Sequence, residues 1–140
     1  MQLQKAVLDS LFLFNQSPDH RLYTLVEFNN YCVFPILHNK VRIFYENDKP
    51  IGLVTWAWFS NDEAQRFLDE RWCPGEDVYK RQDGDQLWAI EFIAPYSPSR
   101  KILKRMMHET YQEHTHHLET NPLLHWRRLS RPDQLHKRRL

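Results

Sequence analysis

Two residues set the chemical question. His20 lies in Ser17-Pro18-Asp19-His20-Arg21, and Glu91 lies in the apolar run Leu87-Trp88-Ala89-Ile90-Glu91-Phe92-Ile93. Imidazole is the side chain best matched to proton transfer near neutral pH, and a carboxylate on one ring nitrogen fixes the tautomer that leaves the other basic. An interior carboxylate is costly unless it is paired. Glu91 therefore needs a partner, and His20 is the one that would turn the pair into a general base. The plainer readings are a histidine that merely caps a helix and a structural ion pair between Glu91 and Arg21 or Arg42. The pattern of residues leaves both open.

Positioning these groups requires a mixture of helices and strands. Leu3, Val7, Leu8, Leu11, Phe12 and Phe14 recur at helical spacing, predicting an amphipathic helix over residues 3–14 that ends near Asn15. Ser17-Pro18 reads as an N-cap followed by proline at the first helical position, which predicts a second helix to about Phe28 with His20 in its first turn. Asn29-Asn30 and Pro35 then mark a buried turn or short helix. Residues 41–45 and 51–59 read as an antiparallel hairpin about a turn at Glu46–Pro50. Ser60-Asn61-Asp62-Glu63 is a capping-box sequence, placing a helix from there to about residue 70 with Ala64, Phe67 and Leu68 inward.

Downstream, Cys73-Pro74-Gly75-Glu76-Asp77 and Asp83-Gly84-Asp85 predict a long exposed connection. Residues 87–93 are too apolar for an edge and read as a central strand. A helix over about 100–111, a strand over 114–120 and a strand over 123–129 complete the chain. This order implies an α+β fold, with helices over a largely antiparallel sheet.

The 140 residues are one domain by size, 1–140, able to bury about two-thirds of the unfolded surface without a disulfide or metal staple. Apolar residues make up 41% and aromatic ones 14%, well above a disordered composition, while three glycines leave no glycine-rich phosphate loop. The net charge of +1 argues against a nucleic-acid binder. Positive charge gathers after Lys101 and ends in His136-Lys137-Arg138-Arg139; the last dozen residues read as a solvated basic tail. Cys32 and Cys73 lack CxxC spacing and read as reduced thiols. The absence of a secretory leader and of an apolar run of about 18 residues points to a cytoplasmic protein without a transmembrane segment.

His108, His114, His116, His117 and His125 show no zinc-like spacing with cysteine or carboxylate, so no metal is expected. The five tryptophans read as core or pocket wall. Ser97-Pro98-Ser99-Arg100-Lys101 opens a helix directly after the Glu91 strand. Its free N–H groups, with Arg100, Lys101, Lys104 and Arg105, form a candidate phosphate site.

Several motifs fall in a recognisable order: Ser17-Pro18-x-His20-Arg21, Pro35-Ile36, Lys49-Pro50-Ile51-Gly52-x-Val54-x-Trp56-Ala57, Ser60-x-x-x-Ala64 with Phe67-Leu68, Asp83-Gly84-Asp85 with Trp88, and Ile93-Ala94-Pro95-Tyr96. With the helix bearing Lys104 and Met106, they make the chain resemble, over about residues 8–120, the lysine acyltransferases that activate RTX toxins. The resemblance implies a fold similar to the GNAT acetyltransferases. It also implies transfer of a fatty acyl group from acyl carrier protein, as a phosphopantetheine thioester, to internal lysines of an RTX protoxin, with no permanently bound cofactor. The family's catalytic histidine falls on His20 and its catalytic aspartate on Glu91, where glutamate adds one methylene, on the order of 1.5 Å of reach. Arg21, Ser97, Ser99, Arg100, Lys101, Lys104 and Arg105 become candidate substrate and carrier contacts. The segment from about 123 to 140 diverges from the family, and a homodimer is compatible with the resemblance. Two rival functions go with the same residues: a binding chaperone without turnover, and a small-molecule N-acyltransferase that uses acyl-CoA.

Overall fold

The computed structural model describes residues 2–69, 72–96, 105, 108–110, 112, 123–128 and 131–139. Its frame is a five-stranded sheet in the order β1-β2-β3-β4-β5, formed by Val41–Glu46, Lys49–Phe59, Gln86–Ile93, Leu123–Arg128 and Arg131–Arg139. The first three strands are antiparallel neighbours, β3 and β4 run parallel, and β4 and β5 are antiparallel. Helices α1 (Leu3–Gln16), α2 (Leu25–Phe28), α3 (Phe34–Leu37), α4 (Asn61–Leu68) and α5 (Glu76–Lys80) complete a mixed α+β architecture, with a π-helical turn, Asn29–Val33, between α2 and α3.

The β1–β2 hairpin closes through two residues, Asn47 and Asp48, with φ of 49° and 64°. Left-handed conformations at both central positions match the twist of the strands, and Asn and Asp tolerate them better than most residues. Ser60 begins α4 as its sequence predicts: its hydroxyl accepts from the Glu63 amide while the Glu63 carboxylate accepts from the Ser60 amide.

The helix over residues 3–14 forms, but a different face is buried. Ala6, Ser10, Leu13 and Phe14 point inward, whereas Leu3, Leu8, Leu11 and Phe12 are exposed. Ser10 is tolerated inside because its hydroxyl donates to the Ala6 carbonyl at 2.7 Å, which removes the cost of an unpaired polar group. This face packs with Phe28, Cys32 and Ile36 on Val41, Ile43, Leu53 and Ile93.

The second helix does not start at Ser17. Residues 18–22 form a hydrogen-bonded turn, with the His20 and Arg21 amides donating to the Ser17 carbonyl and the Tyr23 amide to the His20 carbonyl. Thr24 is the actual cap, in a capping box with Glu27 that begins α2 at Leu25. The connection over 71–85 is likewise not wholly exposed. It contains α5, whose Val78 and Tyr79 pack with Phe59, Phe67 and Trp88. At Gly84 an added Cβ would lie 2.9 Å from the Phe59 carbonyl oxygen and 3.0 Å from Trp58, so this close approach admits only glycine. The segment read as a solvated basic tail is largely β5. Of the expected helix over 100–111, residues 105 and 108–110 are described and are helical while the others lie outside the described residues, and the expected strand over 114–120 falls wholly outside them.

Candidate functional site

The turn after α1 and the middle of β3 meet beneath the helices. His20 is buried, and its two ring nitrogens are both engaged: Nδ1 lies 2.6 Å from Ser17 Oγ and Nε2 lies 2.7 Å from Glu91 Oε2. An ionised carboxylate only accepts, so with Glu91 charged the Nε2 nitrogen carries the hydrogen. A neutral ring then has its lone pair on Nδ1, where the Ser17 hydroxyl donates. The ring's orientation is fixed further by Phe14, edge-on with centroids 5.4 Å apart, and by Tyr23 at 5.4 Å.

Glu91 is 5% exposed and fully committed. Its second oxygen, Oε1, accepts from the Tyr23 hydroxyl at 2.6 Å, and its backbone amide donates to Thr55 Oγ1 at 3.0 Å. Thr55 is itself completely buried on β2, opposite Glu91, and its hydroxyl donates to the Tyr31 carbonyl of the π-helical turn at 3.4 Å. The β2–β3 ladder shifts register between Thr55 and Trp56, one step from this contact. Such a bulge re-aims side chains locally. A π-helical turn, which also often accompanies functional sites, supports the strand from the other side. Burial, the negative charge of Glu91 and the hydrogen bond to it all raise the Tyr23 phenol, so it stays protonated and donates. Burial pushes the Cys32 thiol up to about 12, and that residue stays a neutral part of the wall.

The ion-pair alternative for Glu91 is not what forms. Its carboxylate goes to His20 and Tyr23, while Arg21 is exposed on the turn and Arg42 lies over the Phe44 ring, 5.3 Å from its centroid. Arg105 is exposed and hydrogen-bonds Glu109 at 3.1 Å. Ser97, Ser99, Arg100, Lys101 and Lys104 lie outside the described residues. His125, one of the histidines weighed as a metal ligand, instead stacks on Trp88 with centroids 5.4 Å apart, its Nδ1 3.1 Å from the Leu87 carbonyl oxygen. Among the described residues, no three His, Cys, Asp or Glu side chains gather as a metal site.

Three contributors escaped the sequence reading. Ser17 shows there as a helix cap, Tyr23 only as an unnamed position in the helix expected to run to about Phe28, and Thr55 not at all. The usable signals were the spacing of three between His20 and Tyr23, which brings both to one side of a single turn, and the need of a buried carboxylate for more than one donor.

A second geometric feature borders the site. Among the described residues, parallel strands β3 and β4 pair only at Leu87↔Leu124 and Trp88↔His125, so they part before β3 reaches Glu91.

An α+β domain with a buried histidine clasped between a hydroxyl and a carboxylate is a framework equipped for general-base chemistry. The chain matches the RTX toxin acyltransferase family over residues 2–132 and belongs to that family. It is similar to the leukotoxin-activating lysine-acyltransferase LktC of a Pasteurella haemolytica-like species, strain 5943B, with 23% identity over 95 residues. The aligned region is 68% of this chain and 56% of the relative, so the match spans little more than half of that protein. No helix among the described residues is long and apolar enough to cross a membrane.

Proposed function

We propose that this protein is a protein-lysine fatty acyltransferase that takes its acyl group from acyl carrier protein and delivers it to internal lysines of an RTX protoxin. The single observation that carries the reading is the His20 ring held between Ser17 Oγ and Glu91 Oε2 at 2.6 and 2.7 Å. A lysine amine attacks a thioester only when neutral, and lysine is protonated at ordinary pH. His20 takes the proton from the incoming amine at Nδ1, where the Ser17 hydroxyl now sits, and Glu91 stabilises the imidazolium that results. The amine nitrogen then bonds to the thioester carbonyl carbon, the carbon–sulfur bond breaks as that nitrogen sheds its surplus proton to solvent, and the imidazolium returns its proton to the departing thiolate. Product amide and carrier thiol leave the ring neutral again.

The alternative covalent route, through an acyl-histidine, requires a ring nitrogen free to attack carbon. With Glu91 on Nε2 and Ser17 on Nδ1, either route uses the Nδ1 lone pair after the Ser17 hydroxyl moves aside, and burst kinetics or a trapped acyl-enzyme distinguishes them. The family match supports an acyltransferase; a GNAT-like fold is part of the proposal, and the parting of β3 from β4 suits a site where backbone groups of a strand edge receive the amides of a phosphopantetheine arm. Arg100, Lys101, Lys104 and Arg105, with Ser97, Ser99 and Arg21, remain the proposed contacts for an acidic carrier and its phosphate. Cytoplasmic action and a homodimer belong to the same proposal.

The test mixes the protein with fatty-acylated acyl carrier protein and an RTX protoxin and follows lysine mass shifts by mass spectrometry. Acylation that disappears in His20→Ala is the expected result. Acylation by His20→Ala at the wild-type rate would eliminate the proposed base, and binding of protoxin with no acylation across a range of donors would favour the chaperone. Transfer from acyl-CoA to small amines alone would favour the third reading.

A further inference from the structure

We infer that Tyr23 is a positioning residue for the reaction: it holds one oxygen of Glu91 so that the other stays on His20 and orients the ring without capturing its proton. The inference rests on the reading of His20 as general base. Its geometry is independent of the substrate.

Glu91 is clasped from one turn of chain. His20 and Tyr23 are three residues apart, and the Tyr23 amide donates to the His20 carbonyl at 3.0 Å, closing the turn that carries both. Their side chains divide the carboxylate, Oε2 to His20 at 2.7 Å and Oε1 to Tyr23 at 2.6 Å. The phenol ring is itself braced, edge-on to Phe14 with centroids 5.5 Å apart and tilted against Tyr31 at 5.9 Å. The carboxylate plane is thereby set by two donors at fixed places, not by one donor about which it could pivot.

The hydroxyl has a chemical effect as well as a geometric one. A hydrogen bond to the charged form of an acid lowers its affinity for a proton. With Tyr23 donating, Glu91 supports the imidazolium without competing strongly for the Nε2 hydrogen. Without it, a buried carboxylate oxygen loses its donor and the His20–Glu91 pair takes up a proton at higher pH. Among the described residues, the other titratable groups facing Glu91 are Cys32 from the π-helical turn and Tyr79 from α5. Burial raises both and holds them neutral.

The test is an NMR titration of the His20 ring signals in the free, full-length protein, assigned with His20→Gln. It compares wild type with Tyr23→Phe and with 3-fluorotyrosine installed at position 23. Phe removes the donor, while the more acidic fluorophenol strengthens it with little change of shape. Phe is expected to raise the midpoint by about one pH unit, the value of one hydrogen bond to a charged group, and fluorotyrosine to lower it. In the acylation assay Tyr23→Phe is expected to lower kcat about tenfold with KM within about twofold. Tyr23 filling space alone would leave both midpoints in place, and that result overturns the inference. So does movement of both in one direction. Should Tyr23→Phe fail to fold, the fluorotyrosine shift decides by itself. A protein that acylates nothing yet shows both opposed shifts refutes the acyltransferase reading and upholds Tyr23 as the carboxylate's second anchor.

Discussion

Replacing Glu91 by aspartate is the most discriminating perturbation of this site, because aspartate is the residue that the family resemblance places there. The backbone at position 91 cannot follow a shortened side chain. Its amide is bound to Thr55 Oγ1 at 3.0 Å, and β3 is laddered to β2 in the sheet. Removing one methylene retracts the carboxylate by about 1.5 Å. Contacts now at 2.7 Å to His20 and 2.6 Å to Tyr23 would open toward about 4 Å, beyond hydrogen-bond range. An aspartate that leans to one partner gives up the other. Losing one hydrogen bond to a buried charge costs about 1.5–3 kcal/mol, which is a rate loss on the order of 10- to 100-fold if it is felt in the transition state. The assay is the initial rate of lysine acylation at saturating donor and protoxin, with the melting temperature measured alongside. A Glu91→Asp enzyme as fast as wild type, or faster, would refute the reasoning, since it would mean that the longer side chain is the misfit and that the two-partner clasp contributes nothing.

The remaining predictions address the ring, the fold and its response to acid. Ser17→Ala removes the hydrogen bond at Nδ1 and is expected to slow acylation about 5- to 10-fold at an effect near 1 kcal/mol; an unchanged rate would mean that aromatic packing alone orients the ring. Gly84→Ala forces a Cβ to within 2.9 Å of the Phe59 carbonyl oxygen, so a loss of about 1–3 kcal/mol in denaturant unfolding is expected. Full retention of stability would show that the loop shifts freely. Burial pushes the Glu63 carboxyl up, but the hydrogen bonds from Arg81 and Ser60 outweigh it and hold the group below its ordinary 4.5. Its folded value therefore lies below its unfolded one. The stability it contributes is fully present above about 4.5 and is lost as pH falls below that. Glu63→Gln is expected to flatten the acid side of a melting-temperature profile, and an acid limb identical to wild type would remove Glu63 from the account.

How much of this was legible in the sequence depended on whether a signal was local or set by packing. The partnership of His20 with Glu91 could be inferred because a carboxylate in the run Leu87–Ile93 has to be compensated, and the site contains that pair at 2.7 Å. The hairpin and the Ser60 cap were readable because their residues act on their own neighbours. Ser17 misled for a related reason. Two cap sequences compete within eight residues, and the box of Thr24 with Glu27 takes the helix start, which releases the Ser17 side chain to His20. The inward face of α1 was hidden because Ser10 is buried through a bond to its own helix backbone, a satisfaction that a hydropathy pattern does not register. Tyr79 belongs to a stretch rich in turn residues, and only the packing of Phe59, Phe67 and Trp88 over α5 brings it inside. Tyr23 was not singled out, because the destination of its hydroxyl depends on a strand 68 residues away.

That separation has a consequence for how the protein becomes competent. The bond from His20 to Glu91 joins positions 71 apart, and closing a loop of that length carries an entropic cost of about 4 kcal/mol. The pair is therefore a poor seed for folding and forms only once β3 has taken its place beside β2. Until then the histidine has no carboxylate partner. The exposed Asn47-Asp48 turn falls between the two halves of the site along the chain, with His20 before it and Glu91 after it. A chain severed there would carry its base on one fragment and the base's carboxylate on the other, with β1–β2 pairing as the step that reunites them.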